Sequence, residues 1–337
     1  MQIAKLKTLQ KHNLGIDLMG GDLSPHELMD AIVVFLLQKE RLPHITFFAL
    51  HELSLRVEEL CNRFPPLRKR ISFVGAEDVI TMNDNPLHAI RRKQDSSLCV
   101  GMRHLKQKKL DAFITCGNTG ALIAAARRYL PLFPNVSRPA LLALLPTNRS
   151  AMAVLDVGAN VSNKAEDLIQ FAKLGSAFQK THGIAKPRVG LLNIGTEALK
   201  GTSEIKKAYQ ILESEKFSQF TFIGNIEGKE AFEGSVDVLV TDGFTGNVFL
   251  KTSEGIANLV LERIKENLSS LSLVFPDMKK HLDYAEYPGA LVMGIDAMVI
   301  KCHGYASSQA MTNAIEGASQ MLEAAFIKNI RTIATSI

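Results

Sequence analysis

The chain has 337 residues, of which 46% are hydrophobic and 22% charged, and no Gly/Ser/Pro tract interrupts it; this composition is typical of a globular protein with a large core and excludes a disordered one. The net charge of +5 comes from 39 basic and 34 acidic residues mixed along the chain, which is too weak and too dispersed for a nucleic-acid-binding surface. It still favours anionic small molecules or an acidic protein as partners.

The N-terminal segment contains the first predicted strand and does not have the pattern of a signal peptide. Residues 1–15 lack the continuous apolar stretch of a signal peptide, and no apolar run in the chain reaches the roughly 18 residues of a membrane helix. We therefore expect a cytoplasmic protein. The segment LGIDLMGGD (14–22) predicts a strand and its loop, and the apolar runs Ile45–Leu50 and Ile71–Val74 predict two further strands.

From residue 110 onward, short β-rich runs end in polar loops that contain glycine, and an amphipathic stretch follows each loop. Five such units occur: LDAFIT–CGNTG, AMAVLD–VGAN, RVGLLN–IGTE, VDVLVT–DGFTGN and AMVIK–CHG. The alternation predicts a three-layer Rossmann-like α/β fold, with a mostly parallel sheet and helices on both faces. We expect one catalytic domain over residues 1–337, with a helical appendage around residues 262–288, where strand signals are few.

The loops after the predicted strands are rich in polar side chains. Ligands of parallel sheets bind at the carboxyl ends of strands, and unpaired N–H groups at helix N-termini favour anions such as phosphate. The candidate phosphate-binding residues are Gly117, Asn118, Thr119, Asn193, Thr196, Thr245 and Asn247. Helix capping is the alternative for each one, because Ser, Thr, Asp and Asn are the usual N-cap residues.

The sequence gives no signal for a cofactor. Gly190 and Gly195 have the spacing of a Walker motif, but Thr196 and Glu197 replace its Lys and Ser/Thr, and no GxGxxG follows a strand. The four cysteines are widely spaced and no acidic cluster has metal-ligand spacing, so we expect neither a nucleotide cofactor nor a metal.

Eight segments of the chain resemble, in order, the motifs of PlsX-type phosphate acyltransferases. They are IDLMGGD (16–22), RRKQDSSL (91–98), CGNTGAL (116–122), VLDVGAN (154–160), LLNIGTE (191–197), GNIEG (224–228), TDGFTGNVFLKTSEG (241–255) and IKCHG (300–304). The resemblance implies a fold like that of phosphotransacetylases and isocitrate dehydrogenases, and a homodimer. It also implies acyl transfer from acyl-[acyl carrier protein] to inorganic phosphate, giving acyl phosphate for phospholipid synthesis.

The chain departs from the family pattern at two places. Cys116 replaces the small Ala or Ser that the family usually has, and residues 305–307, Tyr-Ala-Ser, replace a more polar Ser-Ser-Asp run. The second change removes an Asp that could serve as a general base in related enzymes.

The candidate catalytic residues are Lys301, His303 and Asp242. Lys301 and His303 lie two apart at the end of a predicted strand, so we expect their side chains to share a face, with Cys302 on the other face as a buried structural thiol. Asp242 could orient His303 or accept a proton. The alternatives are a solvated Lys, a capping His and an ordinary Asp-Gly turn.

Two surfaces are candidates for partner binding. Arg91, Arg92 and Lys93 could bind the acidic carrier protein or its phosphopantetheine arm, although a charge run is more often a solvated face. Apolar residues between Val248 and Leu271 keep helical spacing, which predicts core or a dimer interface; contact with a membrane surface is a second possibility.

Two other functions remain open at this point. A phosphotransacetylase acting on short acyl-CoA would have similar loops and would differ in chain-length preference. A non-catalytic module that binds acylated carrier protein would show no phosphate-dependent loss of thioester. A metal-dependent decarboxylating dehydrogenase is less well supported, because the chain lacks an acidic metal-binding pattern.

Overall fold

A computed structural model describes residues 12–39, 43–215, 217–267, 289–302 and 308–335. These residues contain eleven strands, which form one sheet. The strands are β1 (Asn13–Asp17), β2 (His44–Leu50), β3 (Ile71–Ala76), β4 (Ala112–Thr115), β5 (Ala140–Leu145), β6 (Met152–Leu155), β7 (Arg188–Leu192), β8 (Thr221–Ile226), β9 (Val238–Val240), β10 (Ala290–Met293) and β11 (Met298–Lys301).

The sheet consists of two parallel blocks that run in opposite directions. Its order is β3-β2-β1-β4-β11-β10-β5-β6-β9-β7-β8. The first five strands are mutually parallel, as are the last four, and the three pairings from β11 through β10 and β5 to β6 are antiparallel. Because an odd number of reversals separates the blocks, their carboxyl ends point in opposite directions.

Helices cover both faces of the sheet. They are α1 (Pro25–Gln38), α2 (Ser54–Arg63), α3 (Pro86–Arg92), α4 (Ser97–Lys106), α5 (Thr119–Tyr129), α6 (Ala165–Thr181), α7 (Ser203–Ser214), α8 (Gly228–Ala231), α9 (Gly243–Asn267), α10 (Ser308–Glu323) and α11 (Phe326–Thr335), with short 3-10 helices at His51–Leu53 and Pro65–Lys69. One core contains side chains of α1, α2, α6, α7, α10 and α11, and the other those of α3, α4, α5, α8 and α9.

Alternation along the strands explains the two cores. In β4, Phe113 packs into one core and Ile114 into the other, as the two-residue period of a strand requires. Every residue of β4 is buried, so both faces are covered. The predicted three-layer α/β fold with a mostly parallel sheet is therefore confirmed, and the eleven strands form a continuous sheet.

Local sequence sets where the first helix begins. Ser24 caps α1 by accepting the N–H of Glu27 over 3.2 Å, the Glu27 side chain accepts the N–H of Ser24, and Pro25 occupies the first helical position. Leu28, Ile32 and Leu36 follow at intervals of four residues, and all are buried.

The expected appendage falls mostly outside the described residues. Helix α9 continues to Asn267, and residues 268–288 of the predicted region 262–288 are not among those described. Within the described ranges, no helix combines the length and apolar character needed to cross a membrane.

Candidate active site

Three neighbouring strands end in buried polar side chains that lie in one row. Asp17 is the register partner of Thr115, and Thr115 is the partner of Lys301, so the last residues of β1, β4 and β11 lie side by side. Their exposed fractions are 3%, 0% and 7%. Side chains at paired positions share a face of the sheet, so a carboxyl, a hydroxyl and an ammonium group lie next to one another.

Hydrogen bonds reach both carboxyl oxygens of Asp17. The Thr115 hydroxyl donates to Oδ2 over 2.9 Å, and the N–H of Met19 donates to Oδ1 over 3.0 Å. Burial raises the pKa of Asp17 to about 6, although hydrogen bonds from Ser97, Met19 and Thr115 and the charge of Lys301 favour the ionised form. The carboxyl group therefore changes its protonation state close to neutral pH.

Lys301 places a buried cation at the end of β11. Its Nζ donates to the carbonyl oxygen of Cys116 over 3.1 Å and to that of Cys302. Burial lowers the pKa of Lys301, and the nearby charge of Lys251 lowers it further. An ammonium group has three donors; within the described part of the chain these two carbonyls are its partners, which leaves one donor for an anion.

The loop after β4 lies beside Lys301 and begins α5. The N–H of Gly117 donates to Thr115 Oγ1 over 3.0 Å. Asn118 caps α5, because its Oδ1 accepts the N–H of Ala121 over 3.0 Å, and its Nδ2 donates to three carbonyls of residues 81–84. The Asn118 side chain thus fixes the loop. The predicted residues 117–119 therefore directly follow the Cys116 carbonyl that Lys301 binds, and Asn118 has a structural role as the cap of α5.

The other polar loops leave the sheet in the opposite direction. Those of residues 156–160, 193–196 and 242–247 follow β6, β7 and β9, which belong to the second parallel block. The predicted residues Asn193, Thr196, Asp242, Thr245 and Asn247 are consequently not at the strand ends that hold Lys301.

Asp156 organises the turn after β6. Its carboxyl oxygens accept four backbone N–H groups, at 2.7–3.2 Å, and the Nδ2 of Asn160 at 2.9 Å. Gly246, in the first turn of α9, packs so closely on the Asp156 carbonyl that a Cβ would overlap it, and Asn247 lies against Gly158. These contacts anchor the start of α9 on the turn.

Asp242 and Thr245 satisfy each other at the start of α9. The N–H and the hydroxyl of Thr245 donate to the two carboxyl oxygens of Asp242, both over 2.8 Å. This is N-cap geometry, the alternative that the sequence left open. In the next loop, Asn193 accepts the N–H of Ile194 and donates to the carbonyl of Lys200, while Thr196 is exposed.

The capping geometry predicts how Asp242 variants behave. We expect Asp242→Ala to lower the free energy of unfolding by about 1 kcal/mol through loss of the cap. Asp242→Asn retains a capping oxygen, so its stability and turnover should be close to those of the wild type. If Asp242 transferred a proton in the reaction, the same variant would lose turnover. Thermal unfolding and steady-state rates for both variants test this, and normal stability with lost turnover in Asp242→Asn would restore the catalytic interpretation.

Helix α9 connects the two groups of loops. It begins on the Asp156 turn and runs across the sheet face that bears the buried Leu250, so that Lys251 comes close enough to Lys301 to affect its pKa. Lys251 forms an ion pair with Glu254 over 2.7 Å, and 44% of its side chain is exposed. The site therefore has a buried and a more exposed cation.

A model of the family described as "Fatty acid synthesis protein" matches residues 12–329 of this chain. The chain belongs to this family. It is 42% identical over 320 residues to the phosphate acyltransferase of Chlamydia pneumoniae, an alignment that covers 94% of this chain and 97% of the relative. The predicted membership of the phosphate acyltransferase family is confirmed, and with it the prediction of an enzyme.

Solved structures support the fold of this family member. The EutD phosphotransacetylase from Staphylococcus aureus aligns with a TM-score of 0.55 at 15% identity, over 92% of this chain and 94% of its own. A phosphotransacetylase from Streptococcus pyogenes aligns with a TM-score of 0.56 at 14% identity, over 94% and 95%. The predicted phosphotransacetylase-like arrangement is confirmed at the level of the fold.

Five family motifs meet around Lys301. IDLMGGD supplies Asp17, RRKQDSSL supplies Ser97, CGNTGAL supplies the loop at Gly117, TDGFTGNVFLKTSEG supplies Lys251 and IKCHG supplies Lys301 itself. Sequence reasoning did not single out Asp17, Ser97 or Lys251. Asp17 could have been found from its position at the end of a predicted strand, within the motif IDLMGGD.

The remaining predicted residues are placed as follows. Lys93 donates to the carboxylate of Asp84 over 2.9 Å, and this bond raises the pKa of Lys93; Arg91 and Arg92 are exposed in the last turn of α3. His303 lies outside the described residues. Over the described ranges, no group of three or more His, Cys, Asp or Glu side chains could hold a metal ion.

Proposed function

We propose that this enzyme transfers a long-chain fatty acyl group from acyl-[acyl carrier protein] to inorganic phosphate and releases acyl phosphate for phospholipid synthesis. The observation that supports this is the buried ammonium of Lys301, which lies in one row with Thr115 and Asp17 where five family motifs meet. A desolvated cation at strand ends suits an anionic nucleophile and a developing oxyanion.

Acyl transfer from a thioester to phosphate needs little acid–base catalysis. A phosphate oxygen attacks the thioester carbon, the carbon–oxygen bond forms, and the carbon–sulfur bond breaks to release the thiolate of the carrier. A thiol has an ordinary pKa of about 8.5, so its anion is a good leaving group. The enzyme must desolvate phosphate, hold it against the carbon and stabilise the oxyanion.

Each residue of the site has a proposed task. Lys301 binds phosphate and the oxyanion with its remaining donor, and Lys251 adds a second positive charge at the entrance. Asp17 orients Thr115, whose hydroxyl in turn fixes Gly117. His303 is our candidate for protonating the departing thiolate, since it follows Lys301 by two positions in the sequence.

Two surfaces suit the proposed partners. Arg91 and Arg92 are exposed at the end of α3 and could bind an acidic carrier protein. Along α9, Phe244, Val248 and Ile256 are 64%, 51% and 57% exposed, and their spacing puts them on one face of the helix. We propose that this face joins two copies of the chain in a cytoplasmic homodimer; peripheral membrane contact is its second possible use.

The test of the proposed function is phosphate dependence. The protein is incubated with a long-chain acyl-[acyl carrier protein], with and without inorganic phosphate, and the product is trapped with hydroxylamine. We expect loss of thioester only with phosphate, together with an acyl hydroxamate. Equal loss without phosphate would indicate a hydrolase, and preference for acetyl-CoA would indicate a phosphotransacetylase. No thioester loss under either condition would support a carrier-binding module.

A further inference from the structure

Two cysteines from distant parts of the sequence are direct neighbours beneath the site. Cys116 follows the last residue of β4 and Cys302 follows the last residue of β11. The N–H of Cys302 donates to the carbonyl of Thr115 over 2.9 Å, which in a parallel ladder makes Cys302 the partner of Cys116. Both are buried, at 3% and 2% exposure, in the core on the opposite face from Phe113.

The geometry of the pair suits a disulfide. The thiols of Cys116 and Cys302 form a hydrogen bond with each other. Neighbouring strands lie about 4.8 Å apart, which is within the range of about 4.4–6.8 Å between the Cα atoms of bonded cysteines. Both residues lie just after the end of their strands, where fewer backbone hydrogen bonds between strands resist the small backbone shift that a disulfide would need.

The pKa values of the two thiols respond to each other, to burial and to the charge of Lys301, which favours the thiolate at both cysteines. The hydrogen bond from Cys302 lowers the pKa of Cys116, and the charge of Lys301 favours the thiolate further, although burial opposes both. The same hydrogen bond, together with burial, raises the pKa of Cys302 well above its usual range. A cation beside a pair of thiols promotes loss of a proton from one of them, and the thiolate formed is the sulfur that is oxidised first while the other resolves it.

We propose that Cys116 and Cys302 are an oxidation site that closes to a disulfide and thereby switches the enzyme off. The oxidant is a peroxide. The Cys116 thiolate attacks a peroxide oxygen: the sulfur–oxygen bond forms, the oxygen–oxygen bond breaks, and the leaving hydroxide takes a proton, giving a sulfenic acid and water. The Cys302 sulfur then displaces the sulfenic oxygen, which leaves with the Cys302 proton as a second water.

Disulfide formation would affect activity through Lys301. Its ammonium binds the backbone carbonyls of these same two residues, so closing a bond between their side chains moves the groups that position the cation. This effect on turnover rests on the proposed function, whereas formation of the disulfide does not.

The experiment treats the full-length protein with hydrogen peroxide, blocks remaining thiols under denaturing conditions and maps peptides by mass spectrometry. We expect a linked Cys116–Cys302 peptide and at least a 10-fold drop in phosphate-dependent turnover, both reversed by dithiothreitol. Cys302→Ala should give no linked peptide; without a resolving thiol, excess peroxide should carry Cys116 on to sulfinic acid, which dithiothreitol does not reduce. The matched control Cys61→Ser, which removes the half-buried thiol, should behave as the wild type.

Each outcome decides one part of the proposal. Oxidation of Cys61 without a linked Cys116–Cys302 peptide would overturn the site. A linked peptide with unchanged turnover would overturn the switch. If the untreated protein shows no phosphate-dependent turnover, the proposed function fails, and the linked peptide still decides the site because its detection needs no activity.

Discussion

Lys301→Ala is expected to lower the kcat/KM for phosphate by roughly 30-fold to several hundred-fold, which corresponds to about 2 to 4 kcal/mol. The variant removes a fixed positive charge from a site in which Lys301 is 7% exposed, so little solvent is present to substitute for it. Both a higher KM for phosphate and a lower kcat should result. Steady-state kinetics against phosphate, with circular dichroism to confirm folding, measures the effect.

Two further variants show whether charge is responsible. Lys301→Met retains most of the side-chain volume and should be about as impaired as Lys301→Ala. Lys229→Ala removes a lysine whose side chain is 77% exposed and should have wild-type kinetics. Near-normal kinetics in both Lys301 variants would remove this residue from the active site.

Asp17→Asn is expected to lower turnover by at least about 10-fold at pH 7.5 while the protein remains folded. Burial raises the pKa of Asp17 to about 6, so the wild-type side chain is ionised at this pH. The amide has almost the same shape but lacks the charge that balances Lys301, and its NH₂ group cannot accept a hydrogen bond from Thr115 or Met19.

The same variant makes a prediction about stability. Because the pKa of Asp17 is raised in the folded protein, its contribution favours folding below about pH 3.8 and is lost as the pH rises through about 6. At pH 7.5 the ionised carboxylate therefore opposes folding, by at most about 3 kcal/mol. Asp17→Asn should consequently have an equal or higher Tm at pH 7.5, with the difference shrinking at pH 5.

The pH profile separates this effect from the titration of phosphate. Wild-type turnover should fall as the pH drops through about 6, whereas Asp17→Asn should lack the part of that fall that belongs to the enzyme. Phosphate titrates identically in both assays, so the ratio of the two rates isolates Asp17. A constant ratio from pH 5 to pH 8 would contradict the assignment.

Local patterns were sufficient for the fold class. The five strand–loop units correspond to β4, β6, β7, β9 and β11, because a buried strand followed by a polar turn is determined by neighbouring residues. The reversal of the second block was not predictable. It depends on the antiparallel strands β5 and β10 and on pairing between distant segments of the chain.

The difference between local and long-range information also explains which residues of the site were predicted. Lys301 and Gly117 were predicted because each stands at the end of its own strand, and the capping alternative for Asp242 follows from Thr245 three residues later. Asp17 and Lys251 were missed, because their significance comes from neighbours that only the fold supplies. Burial, which shifts the pKa of Asp17, is equally invisible in a single segment.

The position of β11 has a consequence for biosynthesis. This late strand inserts beside β4, and the contact from Lys301 to Cys116 spans 185 residues. During synthesis on the ribosome, the edge of β4 that pairs with β11 therefore stays unpaired until almost the whole chain has been made. Contacts between residues so far apart in sequence slow folding, and unpaired strand edges can associate with other chains. A nascent chain that stops before β11 will retain most of the sheet-forming sequence but lack Lys301, and its exposed β4 edge will favour association with other chains.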